Sequence, residues 1–423
     1  MTQTPETLDA LFAFLLAGVL TMLLVPLTIR LARRLGAIDL PNERSLHDVP
    51  TPKLGGLAVL VGVLVAGLIW LPDDTESHAI LIGAVFVALF GVLDDVFELG
   101  PVPKLVGQTV AVVIPVSVGV TVDDFTFPFL GRVEPGSVEL LTLPGGGVVD
   151  LGQVLTVLGI VAVINVINLL DGVDGLAAGV CVISAAALAV IALSLDRTAA
   201  GVLAALVAGS SLGFLRYGVP PASTFLGDTG SNLLGYLMGV VAVQGALKTN
   251  AVIALFLPLM VLAVPILDTG FVIAKRLKYR RPIYRADRWH FHHRMADIGF
   301  SQRRTLLYLY GWTLVMAALA LALRFVPYSD DRGNFDLFWS IVMGACLVLA
   351  VGASFYLVTV LEIFKLRQVR LRQLITLRQQ VGAPDPQPEE VDAAVERELE
   401  TGSFPTIDPE TGEFGTVDPP KGS

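Results

Sequence analysis

Residues 176–195, "LAAGVCVISAAALAVIALSL", form a run of twenty residues without a charge, and similar runs recur along most of the chain. About 20 apolar residues in a helix cross the ~30 Å hydrocarbon layer of a bilayer, where each backbone polar group must find its partner inside the protein. Only helices or a closed barrel satisfy that demand. A barrel is built from ~10-residue segments of alternating polarity, whereas these runs are long and continuous. The sequence therefore predicts an all-α polytopic membrane protein, and a mean hydropathy of +0.71 with only 16% charged residues agrees.

Apolar runs lie near 9–29, 55–72, 79–94, 105–121, 152–170, 176–195, 199–216, 231–247, 251–274, 305–326 and 336–362. They predict about eleven transmembrane helices, with the two termini on opposite sides. Of the 29 Lys and Arg residues, 24 fall on one side, including Arg30, Arg33, Arg34, Lys53, Lys104, Arg216 and ten between Lys275 and Arg304. Arg132, Arg197, Lys248, Arg324 and Arg332 fall on the other. Positive charge marks the cytoplasmic side, so the N-terminus is expected outside and the C-terminus in the cytoplasm. "MTQTPETLDA" lacks the basic start of a signal peptide, so the first span is expected to stay in the membrane. Cys181 and Cys346 fall inside spans and read as small apolar fillers rather than as a disulfide or a thiolate metal site.

Outside the membrane, "SVELLTLPGGGVVDLG" within 122–151 predicts a short external β-hairpin around a Gly-rich turn. "FKLRQVRLRQLITLRQQ" (364–380) has apolar residues at near-helical spacing among five Lys/Arg residues, which suits a helix on an anionic lipid surface. From Gly382 onward, eleven Asp/Glu residues face only Arg397 and Lys421, a composition that predicts disorder. That tail accounts for the whole formal net charge of −9, so the acidity carries no information about a site in the membrane region. The expected division is 1–362 (polytopic domain), 363–381 (basic amphipathic helix) and 382–423 (acidic tail).

Polar residues collect at the cytoplasmic ends of the spans. Asp94 and Asp95 end the third span in "GVLDDVFEL". One aspartate there could simply meet the interface, but two adjacent carboxylates repel each other and oppose the helix dipole, so a cation is expected nearby. "INVINLLDGVDGLAAG" puts Asn165, Asn168 and Asp171 on one helical face, with Asp174 in the Gly-rich turn beyond. A turn accounts for Asp174; it does not account for two amides at the end of an apolar span. In "PPASTFLGDTGSNLLG", Asp228 is either a helix N-cap or part of a phosphate-binding helix start. "HDVPTPKLGG" brings His47 and Lys53, while Lys104, Gln108 and Asp268 are further polar residues at span ends. "RADRWHFHHRM" carries Arg288, His290, His292 and His293; without accompanying cysteines and with carboxylates available, a hard cation suits it better than zinc. Together these groups describe a site for a divalent cation and an anionic phosphate substrate.

The ordered motifs "PNERSLHDVPTPKLGG", "GVLDD", "NVINLLDGVDGL", "FLGDTGS" and "DRWHFHHRMADIGFSQRR" cover roughly residues 10–325. In them the chain resembles the polyprenyl-phosphate N-acetylhexosamine-1-phosphate transferases, and within these the WecA/TagO branch. That branch passes N-acetylglucosamine-1-phosphate from UDP-N-acetylglucosamine to a lipid phosphate. "TPKLGG" and the H-x-H-H pattern point to it rather than to the phospho-N-acetylmuramoyl-pentapeptide transferases, which usually carry a TPTMGG-like motif and a three-histidine stretch. The resemblance implies Asp228 as principal Mg²⁺ ligand, with Mn²⁺ as a substitute. It implies Asp94 or Asp95 at the lipid phosphate, Asp95 also being a candidate metal ligand. Asn168, Asp171 and Asp174 would line the nucleotide-sugar pocket, Phe225 would stack on uracil, and His290, His292 and His293 would sit by the pyrophosphate or sugar. His47, Lys53, Lys104 and Arg288 complete the candidate substrate-binding set. One departure is "RYGVPPA", where many relatives carry Asn and this chain has Gly218.

The implied partners are a UDP-sugar, a polyprenyl (undecaprenyl or decaprenyl) phosphate and membrane lipids, with no nucleic acid; relatives are often homodimers. The implied location is the bacterial cytoplasmic membrane, with the site on its inner face. Two other readings stay open. A transferase for a different UDP-N-acetylhexosamine or for the pentapeptide donor would share these motifs. A cation-coupled transporter would also carry intramembrane carboxylates, but near the midplane of repeated halves, and no internal repeat is visible.

Overall fold

The computed structural model describes residues 4–41, 49–122, 125–127, 131–142, 147–246, 262–278, 295, 300–327, 336–381, 386–393, 404–407 and 414–417. Each of the eleven apolar runs contains a helix: α1 (Thr4–Leu35), α2 (Gly56–Trp70), α3 (Thr75–Phe97), α4 (Pro101–Val116), α5 (Leu151–Leu170), α6 (Leu176–Ser194), α7 (Thr198–Gly218), α8 (Gly227–Ala246), α9 (Ala263–Lys278), α10 (Gln302–Phe325) and α11 (Leu337–Val381). Among the described residues, seven of them, α1, α3, α5, α6, α7, α10 and the first part of α11, are long and apolar enough to cross a membrane. The chain is a multi-pass membrane protein. The remaining runs form shorter apolar helices (α2, α4 and the first part of α9) or, in α8, a helix whose polar first turns lower its hydropathy.

Contacts divide the chain into two compact units. The first, Met1–Arg285 with Gln302–Cys346, contains the transmembrane packing described next. Its centre is α8, which contacts α2, α3, α5, α6 and α7. Tyr236, fully buried on α8, donates from its hydroxyl to the Ile80 carbonyl of α3 at 3.0 Å. Small residues permit the closest approaches, as expected where lipid supplies no hydrophobic drive between helices. At Gly91 of α3, an added Cβ would lie 2.6 Å from the Thr229 backbone nitrogen and 2.7 Å from the Asp228 carbonyl oxygen.

Local signals explain the starts of α4 and α5. Gly100 precedes Pro101 and Pro103 at the start of α4, where missing N–H groups cost no intrahelical bond. The helix consequently begins before the apolar run proper and takes Lys104 into its first turn. Asp150 and Gln153 form a reciprocal capping box at the start of α5.

Outside the helices, the expected hairpin is present as Glu139–Thr142 paired with Val148–Asp150, and a second one pairs Phe125–Phe127 with Gly131–Val133. Helix α11 runs unbroken for 45 residues from the apolar stretch through the basic segment, so the two elements expected on either side of residue 362 share one helix; no Gly or Pro interrupts 353–381. In the second unit, Ala286–Ser301 with Leu347–Ser423, Leu374 and Val391 are buried together against Leu371. The acidic tail, read as disordered, contains an antiparallel pair, Phe404–Ile407 with Phe414–Val417.

Candidate active site

The last turn of α3 presents Asp94 and Asp95 to different neighbours, because successive residues on a helix are ~100° apart. Both are buried, at 7% and 5% exposure. Asp94 accepts from the Leu99 backbone N–H through Oδ1 at 2.9 Å and so closes the end of its own helix. Its Oδ2 lies 3.0 Å from Lys104 Nζ, a charge contact outside hydrogen-bond direction. The cation demanded by a carboxylate at a helix C-terminus is therefore Lys104, supplied by the start of α4.

Asp95 faces the beginning of α8. Its Oδ1 accepts from the Asp228 N–H at 2.9 Å, and its Oδ2 accepts from the Thr229 N–H at 3.0 Å and the Thr229 hydroxyl at 2.7 Å. A helix N-terminus carries unsatisfied donors and partial positive charge, and a carboxylate from another helix answers both. Gly227, at φ +69, makes the turn into α8 in the left-handed region, and a Cβ there would also collide with Asp95.

With the helix start capped by Asp95, the Asp228 side chain is released from that task. Its Oδ1 accepts from Lys104 Nζ and from Asn168 Nδ2. Asn168 also donates to Ser231 Oγ at 2.8 Å, and Ser231 donates to the Gly227 carbonyl at 2.9 Å. The result is a convergence of α3, α4 and α8 on one ammonium group, with Lys104 held between Asp94 and Asp228 and with Asn168 of α5 joined to it through Asp228. Of the two readings left open for Asp228, the structure shows a first-turn residue whose side chain points to Lys104 and Asn168 rather than a cap.

Asp171 and Asp174 border this centre. Asp171 ends α5. Burial, followed by the charges of Asp228, Asp95 and Asp174, holds its carboxyl well above the usual carboxylate range. Asp174 Oδ2 accepts from the Ala222 N–H at 3.0 Å, tying the turn after α5 to the loop before α8. The "TPKLGG" segment runs along that same loop: Phe225 N–H donates to the Pro52 carbonyl at 2.8 Å, Gly55 N–H to the Phe225 carbonyl at 3.0 Å, and Gly56 N–H to the Leu226 carbonyl at 2.9 Å. Lys53 Nζ pairs with Asp39 at 3.3 Å, so its charge is held by the two-residue strand Ile38–Asp39 that follows α1 and pairs with Thr51–Pro52. Phe225 is half-buried. His47, Arg288, His290, His292 and His293 lie outside the described residues.

The donor set is made of hard oxygens, and among the described residues Asp94, Asp95 and Asp228 outnumber the one cation they surround, Lys104. Among the described residues no three His, Cys, Asp or Glu side chains are grouped to hold a metal by themselves. Mg²⁺ commonly binds through one or two carboxylates and completes its shell with water and substrate phosphate. Asp228, with Asp94 Oδ2 buried and lacking a hydrogen-bond donor, fits that mode.

Residues missed by sequence reasoning include Asn232, one turn into α8, whose Oδ1 accepts from Gln108 Nε2 at 3.3 Å. Its signal was an amide at 2% exposure where the polar start of α8 gives way to its apolar body, visible only once the helix is known to be central.

Residues 77–246, which include Asp94, Asp95, Lys104, Asn168, Asp171, Asp174 and Asp228, match the family model "Glycosyl transferase family 4". The chain is 37% identical over 313 residues, 73% of its length and 84% of the relative's, to a probable undecaprenyl-phosphate N-acetylglucosaminyl 1-phosphate transferase of Bacillus subtilis. It is 33% identical over 335 residues, 72% of its length and 81% of the relative's, to a decaprenyl-phosphate N-acetylglucosaminephosphotransferase of Mycobacterium leprae. A phospho-N-acetylmuramoyl-pentapeptide-transferase of Desulforudis audaxviator is 34% identical over 348 residues, 75% of this chain and 98% of that one.

Proposed function

Since the chain belongs to glycosyl transferase family 4, we propose that it transfers N-acetylglucosamine-1-phosphate from UDP-N-acetylglucosamine to a polyprenyl phosphate in the bacterial cytoplasmic membrane, releasing UMP on the cytoplasmic side. The observation that carries this reading is the meeting of Lys104, Asp94, Asp228 and Asn168 at the ends of four packed helices. Such a site can receive a phosphate from the lipid side and a diphosphate from the aqueous side.

In the reaction, an oxygen of the lipid phosphate attacks the β-phosphorus of the donor. A new P–O bond forms, the bond from that phosphorus to the bridging oxygen breaks, and the electron pair leaves with UMP. A phosphate monoester is already largely ionised near neutral pH, so positioning and charge neutralisation must supply most of the acceleration. Lys104, held between Asp94 and Asp228, would attract the attacking phosphate. Asn168, itself anchored on Ser231, holds Asp228 in one orientation, and Asp95 fixes the helix start that carries it. Asp228 with Asp94 would hold Mg²⁺, which neutralises pyrophosphate charge when bound.

The direct test is UMP release by the purified protein with Mg²⁺ and a polyprenyl phosphate, comparing UDP-N-acetylglucosamine, UDP-N-acetylgalactosamine and UDP-N-acetylmuramoyl-pentapeptide. Release with the first donor alone is expected. Release with the peptide donor alone would transfer the chain to the activity named for its Desulforudis relative.

A further inference from the structure

Below the reactive groups lies a second polar layer made only of amides. Asn165 Nδ2 donates to Gln108 Oε1 at 2.8 Å, and Gln108 Nε2 donates onward to Asn232 Oδ1 at 3.3 Å. Asn165 also donates to the Val161 carbonyl at 2.8 Å within its own helix. Gln108 is 1% exposed and Asn232 2%.

The layer repeats the site one turn deeper. On α4, Gln108 follows Lys104 by four residues; on α8, Asn232 follows Asp228 by four; on α5, which runs the other way, Asn165 precedes Asn168 by three. Four residues of helix correspond to ~6 Å, and residues at this spacing share a face. Each helix that contributes to Lys104, Asn168 and Asp228 thus contributes one amide beneath it.

We infer that Gln108, Asn165 and Asn232 are positioning residues for the transfer reaction, setting the axial register of α4, α5 and α8 so that Lys104, Asn168 and Asp228 converge. A slide of one residue moves a helix by ~1.5 Å, enough to break a hydrogen bond whose heavy atoms normally lie ~2.7–3.2 Å apart. Apolar packing does not resist such a slide well, because leucines at these positions would fit several registers. Amides that must satisfy one another in low dielectric favour one register, which is the best-attested use of a buried polar group. Gln108 is the link, since its oxygen serves α5 and its nitrogen serves α8.

The kinetic side of this inference rests on the transfer reaction proposed above; its structural side does not. The test uses the full-length protein with Gln108→Leu, Asn232→Leu and the exchanged pair Gln108→Asn with Asn232→Gln. UMP release is measured as kcat and KM, and amide hydrogen exchange is followed by mass spectrometry. Either Leu variant is expected to lower kcat by roughly 10- to 100-fold with KM changed by less than about threefold, since misplacement of ~1 Å has effects of this size. Exchange over 100–108 and 227–232 is expected to quicken while α1, α6 and α7 keep their protection, and the exchanged pair is expected to recover most of both losses.

Unchanged kcat with unchanged exchange at these helix starts would overturn the inference. So would a lowered kcat that the exchanged pair fails to recover, or a raised KM at normal kcat, which would mean the amides touch substrate. If the wild-type protein released no UMP from any donor, the proposed reaction would fall, and the exchange pattern alone would decide whether the amides hold the register: faster exchange at the two helix starts supports it, and no change refutes it.

Discussion

Asp95→Ala separates two roles that a carboxylate at this position can play. The substitution removes the acceptor for the Asp228 and Thr229 N–H groups and for the Thr229 hydroxyl, at 2.9, 3.0 and 2.7 Å, in a place only 5% exposed. A buried donor left without a partner costs ~1–3 kcal/mol, and loss of an N-cap typically ~1 kcal/mol. Removing the buried charge offsets part of that, because a carboxylate beside Asp228 is itself expensive to bury. The balance is a local loss of about 2–4 kcal/mol at the start of α8, equivalent to roughly 30- to 1,000-fold faster exchange of those two amides. Asp95→Asn keeps one carbonyl acceptor and should lose about half as much free energy, ~1–2 kcal/mol. Hydrogen exchange resolved to residues 227–231 is the assay. Unchanged protection with activity abolished would refute the reasoning, because Asp95 would then act on substrate or metal and not as the cap of a neighbouring helix.

Other substitutions probe the surrounding contacts. Gly91→Ala forces a Cβ to 2.6 Å from the Thr229 nitrogen, which is backbone and cannot turn aside; the expected cost is ~1–3 kcal/mol, read as a lower unfolding temperature in detergent. Lys104→Met leaves Asp94 and Asp228 without their shared cation and should reduce UMP release by at least ~100-fold, with Lys104→Arg retaining part of the activity. Tyr310→Phe removes a hydrogen bond to the Gly175 carbonyl at 2.6 Å; stability should fall by ~1 kcal/mol while UMP release stays within about twofold of normal.

The membrane class was legible because apolar runs of spanning length admit few alternatives, and the site was legible in outline because polar residues at span ends are costly without a task. Asp94, Asp95, Asn168 and Asp228 stood out on that ground, and the need for a cation beside the aspartate pair pointed toward what Lys104 supplies. The division of labour between Asp94 and Asp95 was not legible. Two neighbours on a helix face different partners, and which partner each meets depends on where α4 and α8 lie. Asp228 illustrates the same limit: "GDTGS" suits a self-capped helix, yet the cap comes from α3 and leaves Asp228 for other work. Asn232 was passed over because its meaning depends on Gln108, 124 residues away. The start of α4 was displaced since Pro101 and Pro103 favour a helix start within a segment too polar to be counted in the apolar run.

The most direct measurement is UMP release by Asp228→Asn beside the wild-type protein, at saturating Mg²⁺, UDP-N-acetylglucosamine and polyprenyl phosphate. The substitution keeps the shape and an oxygen that Lys104 and Asn168 can approach, but removes the charge around which α4 and α5 converge. A folded variant with turnover reduced by at least ~1,000-fold is expected. Near-normal turnover would contradict the assignment of this constellation as the seat of the transfer reaction.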